Sequence, residues 1–128
     1  MTTTSADAAS VFADARRMHS AALQRMAAGD VRDAADKAWC AAKRATDALI
    51  LARTGQLPPK SPDTTRALLR LAQDHPQLRS LRARYTERRD ILHGDCFYTG
   101  LCEPMDAIEN IISETADFIR DAEAFAAS

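Results

Sequence analysis

The 128-residue chain is short of what a β-sheet domain needs. It holds four Gly and seven aromatic residues, whereas a sandwich or barrel requires β-branched and aromatic strands with frequent Gly turns. Lysine is scarce, three residues against fourteen Arg. Cys40, Cys96 and Cys102 are an odd number, without C-x-x-C spacing or a His in ligand register, so neither a disulfide framework nor a zinc site is indicated. No cofactor motif is present. No window reaches the roughly 18 consecutive apolar residues of a membrane span, and Met1 to Ser10 lacks the basic start and apolar run of a secretory signal. The expectation is a cytoplasmic protein in a reducing compartment, without membrane association. A formal net charge of −1 excludes a broadly basic protein that coats nucleic acid.

What is abundant is alanine, at 26 positions, the residue that favours helix most strongly. The reading is one all-α domain over residues 1–128, with 1–7 a ragged N-terminal extension. Val11, Ala15, Met18, Ala22 and Met26 recur at helical spacing in a first helix from about Ala6 to Ala28, ended by Gly29. Asp30 caps a second, whose stripe of Val31, Ala34, Ala38, Ala41, Ala45, Ala48 and Ala52 invites close approach of neighbours. Thr54 to Lys60 is a loop. Ser61-Pro62-Asp63 opens a short third helix to about Gln73, and a fourth runs from about Gln77 to at least Leu92, loosened or ended at Gly94. Glu103-Pro104 opens a fifth with core positions Met105, Ile108, Ile112, Thr115, Ile119, Ala122 and Ala126. These lengths and short connections predict an antiparallel up-and-down bundle of four or five helices.

The neutral total hides a dipolar chain. From Thr64 to Arg89 seven Arg face two acids, a local balance of +5, and from Asp90 to Ser128 nine acids face Arg120 alone, a balance of −8. A guanidinium grips phosphate with two parallel hydrogen bonds, which an ammonium cannot do. The plainer explanation is a basic pair of helices lying near an acidic one.

On the fourth helix Leu78, Leu81, Tyr85, Arg88 and Leu92 share a stripe, so Arg88 falls on the apolar side and needs an acidic partner, a polar crevice or a ligand. His93, five residues later, lies about 140° further round an ideal helix, so the two side chains converge only if helix geometry changes or a second subunit closes the site. Arg88-Arg89-Asp90-Ile91-Leu92-His93 has the Arg-x4-His spacing of the HEPN superfamily and resembles it. Ala38-Trp39-Cys40-Ala41-Ala42-Lys43 looks like the Ala-rich second helix of such domains. His93-Gly94-Asp95-Cys96-Phe97-Tyr98-Thr99-Gly100 is similar to the His-x-x-x-Phe-Tyr-x-Gly stretch of its PaREP-like branch. Asp95 stands where nucleotidyltransferase-partnered toxins of the superfamily carry Tyr, so that form is absent.

The resemblance implies a HEPN-like bundle forming a homodimer, and in active members a metal-independent endoribonuclease. Arg88 and His93 would be its catalytic pair: Arg88 holds the scissile phosphate, and His93 moves the proton as the 2′-hydroxyl attacks, leaving a cyclic phosphate. Arg89, Arg84, Asp90 and Tyr98 are the candidate substrate-binding residues. RNA or a nucleotide is the expected ligand, with a protein partner such as an antitoxin. The alternative is a non-cleaving helical module that binds a nucleotide, RNA or protein. In that case Arg88 pairs with an acid on a neighbouring helix and His93 caps the end of the fourth. His19 reads as a core polar contact and His75 as a cap.

Overall fold

The computed structural model describes residues 2–128, with side chains from Asp7 onward. Among these residues every regular element is helical. α1 spans Thr2–Ala27, α2 Val31–Thr54, α3 Ser61–Asp74, α4 Arg79–Glu87 and α5 Met105–Ala127. A single 3₁₀ turn, Pro76–Leu78, leads into α4, and α4 passes directly into a π-helical segment, Arg88–Tyr98. Among the described residues no helix is long and apolar enough to cross a membrane.

Contacts between side chains define the bundle directions. Asp14 meets Arg44 while Arg25 meets Asp33, so α1 and α2 are antiparallel. Arg84 meets Asp121 and Arg88 meets Thr115, which sets α4 and its π extension antiparallel to α5. Arg16 reaches Glu123 and His19 reaches the Ile112 carbonyl, closing α1 against α5. The loop after α2 carries the chain back, so that α3 begins beside Asp47, which accepts from Thr64, and ends beside Arg53, in contact with His75. Asp47 is buried, and Lys43 completes its compensation at 3.0 Å.

α2 is the hub. Ala34, Ala35, Ala38, Ala41, Ala42, Ala45 and Ala48 are all fully buried, and their small side chains let neighbouring backbones close in. Asp30 caps α2 by accepting from the Asp33 amide, and Gly55 ends it with a positive φ that L side chains rarely adopt. Ile108, Ile112, Thr115, Ile119 and Ala122 of α5 are buried as their spacing requires.

Several expectations are corrected. α1 begins at Thr2, ahead of the start expected near Ala6, and no Gly or Pro interrupts it. Lys60, with no side-chain cap bond, takes the N-cap of α3, and Ser61 is its first residue. Met105 is exposed, because it opens the first turn of α5 ahead of the packed stripe. Cys96 and Cys102 form a disulfide across six residues, against the reading that no such bond was indicated. The chain turns back at the end of the π segment and brings the two thiols together, a turn that an odd count cannot reveal. The bond also removes cysteine usage as an argument for a reducing compartment. Cys40 remains free, its thiol pushed up by burial.

Candidate functional site

The Arg-x4-His motif coincides with the π-helical segment: Arg88 opens it and His93 sits at its centre. A π turn bonds i to i+5, one residue wider than an α turn, and such turns are frequent at functional sites. The widened stretch starts at a residue tied to α5 and ends at Phe97 and Tyr98, whose carbonyls accept from Arg32 of α2. It is anchored on two sides.

Arg88 is 2% exposed. Its Nε donates to Thr115 Oγ1 at 2.8 Å, Nη1 to the Arg84 carbonyl at 3.2 Å and Nη2 to the Ile111 carbonyl at 3.3 Å. Thr115 in turn donates its hydroxyl hydrogen bond to the Ile111 carbonyl. The guanidinium carbon lies 5.4 Å from the centre of the Phe118 ring, which Arg84 approaches as well. The nearest carboxylate is Glu87 of its own helix, at 3.6 Å, so a polar crevice, and not an acid on a neighbouring helix, satisfies the charge. Burial, together with the nearby Arg84 charge, holds the Arg88 guanidinium below its ordinary value.

His93 faces the other way. Its Nδ1 lies 3.0 Å from Asp36 Oδ1 on α2, with about a third of the imidazole and a quarter of the carboxylate exposed. An ionised carboxylate only accepts, so Nδ1 carries the proton and Nε2 is the basic nitrogen of the neutral ring. The ring stacks on Phe97, with 5.9 Å between centroids and 17° between planes, and meets the edge of Tyr98 at 5.0 Å. Trp39 closes the inner side and touches Tyr85 beyond it. Tyr85 is buried, its hydroxyl against Thr65 at 3.0 Å and raised above the usual tyrosine range by burial.

The remaining candidates divide between these two sides. Arg84 belongs to the α5 side, paired with Asp121 at 2.9 Å. Arg89 is half-exposed, and only its Nε is engaged, by Asp90 at 3.0 Å. Tyr98 is 69% exposed beside His93. A single chain therefore brings His93 and Tyr98 together and leaves Arg88 and Arg84 facing α5. His19 is the core contact its position suggested, 2.9 Å from the Ile112 carbonyl, and His75 caps α3.

Asp36 escaped the sequence reading. Its one signal was position: three residues before Trp39, it borders the buried stripe of α2. Which group it faces depends on the packing of the π segment. No group of three or more His, Cys, Asp or Glu suited to a metal occurs among the described residues. An open cleft of about 430 Å³ between the end of α2, Leu57 and α3 contains none of the motif residues. Comparison with family models, curated proteins and solved structures yields no match to this chain.

Proposed function

We propose that the chain is a HEPN-like protein acting on RNA, a dimeric metal-independent endoribonuclease in which His93 moves the proton of 2′-hydroxyl attack. The supporting observation is the half-open Asp36–His93 pair. A carboxylate on Nδ1 fixes the tautomer and orientation and stabilises the imidazolium that forms, while Nε2 stays available to the substrate. Tyr98 offers an exposed ring for a base, and Arg89 has unengaged guanidinium nitrogens for a phosphate. In this reading Arg88 shapes the π segment, and the second copy supplies a second His93 so that acid and base roles are both filled. A cytoplasmic site of action and a regulating protein partner belong to the same reading.

The burial of Arg88 favours a second reading, a HEPN-like module that binds a nucleotide, RNA or protein partner without cleaving. One experiment separates them. Purified wild type, His93→Ala and Asp36→Asn are incubated with single-stranded RNA in EDTA, and the 3′ ends are examined for cyclic phosphate. Cleavage by wild type that disappears in His93→Ala supports the nuclease. Intact RNA with wild type supports the binding module.

A further inference from the structure

Of the fourteen arginines, Arg70, Arg79 and Arg82 alone have neither a carboxylate within 4 Å nor a hydrogen-bond acceptor among the described residues. All three are exposed and lie on the α3–α4 hairpin. Arg70 opens onto the cleft where Asp63 and Asp74 also stand. Arg79 and Arg82 instead line an open cleft of about 270 Å³ with Gln73, floored by Leu69 and Ala72 and with no acid in its lining. Two free guanidiniums and an amide converge there on a space a ligand can enter. From α4 into the π segment, Arg79, Arg82, Thr86 and Arg89 follow one another at helical spacing, and Arg89 lies in the same segment as His93.

Resting on the RNA reading of the His93 face, we infer that this cleft and row form a second contact for the substrate, binding the phosphate backbone of single-stranded RNA upstream or downstream of the base held near His93. The chemistry is a linear polyanion on arginine forks. From Arg79 to Arg89 the row runs about 15 Å, at 1.5 Å per residue, the reach of a few nucleotides. An acidic protein surface would need no such alignment with the His93 site.

The test uses a fluorescently labelled 2′-O-methyl uridine oligonucleotide, which lacks the attacking hydroxyl and stays intact. Its binding to wild type and to the Arg79→Gln, Arg82→Gln double variant is measured by anisotropy across a salt series. The double variant should bind about tenfold more weakly at low salt. Its slope of log K against log salt should be shallower by about one to one and a half, near 0.7 for each phosphate that the protein no longer neutralises. Circular dichroism melting checks that it is folded. Equal affinity and slope in the two proteins overturn this contact while leaving the His93 reading intact, because RNA is then bound elsewhere. No binding of the oligonucleotide by wild type, with poly-glutamate bound instead and released by the double variant, assigns the cleft to an acidic protein and overturns the proposal. Failure of the His93 reading shows itself separately, as unmodified RNA with intact 3′ ends in the cleavage assay.

Discussion

Arg88 and His93 stand five residues apart on one widened helix, yet they live in opposite surroundings. The arginine is sealed against α5, every nitrogen occupied by a protein oxygen, whereas the histidine is half open, bound through one nitrogen to a carboxylate of α2. A motif read as a unit along the chain is therefore divided by packing into a part sealed inside the fold and a part open to solvent. Spacing alone does not assign a shared role. What the side chain meets on the neighbouring helix does.

Substitutions at the two ends should behave accordingly. Arg88→Ala removes a buried side chain and the three hydrogen bonds it donates to Thr115 and to the Arg84 and Ile111 carbonyls, so unfolding in urea should show a loss of about 2–4 kcal/mol. A loss no larger than that of His93→Ala would erase the contrast. Thr115→Val strands the Arg88 Nε donor while keeping volume, and should cost about 1–3 kcal/mol in the same assay. Tyr85→Phe deletes the hydroxyl bond to Thr65 at a cost of about 1 kcal/mol at neutral pH. Because burial holds the Tyr85 hydroxyl above 10.0, what it contributes is complete below pH 10 and fades as pH rises through the folded value. The stability gap between wild type and Tyr85→Phe should thus narrow in alkali, and a gap that widens above pH 10 would contradict the assigned burial. On the open side, His93→Ala should shift stability by less than about 1 kcal/mol, as for other partly exposed polar groups. The smallest effect is spectroscopic: the long-range proton–nitrogen spectrum of His93 should show Nδ1 protonated in wild type and a tautomer mixture in Asp36→Asn. An unchanged spectrum would mean that Asp36 does not orient the ring.

Legibility followed the same division. Elements set by local rules were plain in the residues: Asp30 and Gly55 bracket α2, Pro62 opens α3, and the apolar period of α5 places Ile108, Ile112 and Ile119 in the core. That Arg88 must be satisfied, by an acid, a polar crevice or a ligand, was plain too, since a guanidinium on an apolar stripe cannot stay unpaired. Its partners were not, because Thr115 and the Ile111 carbonyl belong to a helix 23 to 27 residues away. The π segment was foreshadowed only as loosening at Gly94, and it starts six residues earlier, at a residue bonded to α5, and ends at carbonyls bonded to α2, partners no local pattern names. Asp36 and the Cys96–Cys102 bond were missed for a common reason: each is a meeting of groups made by the fold-back of the chain, with no spacing rule behind it.

The alanine face of α2 gives this protein an unusual mutational asymmetry. Seven fully buried positions there carry the smallest side chain that still has a Cβ, so a scan that trims core residues finds almost nothing to remove at those seven, and its losses on α2 fall at Trp39 and Leu49. Sensitivity lies in the direction of growth. A Val or Leu at Ala41 or Ala45, both fully buried, must displace what packs against α2, by the same closeness that lets the helices pack. Tolerance along α2 is therefore expected for Gly or Ser more than for any larger apolar residue, the reverse of what a leucine-rich core would show.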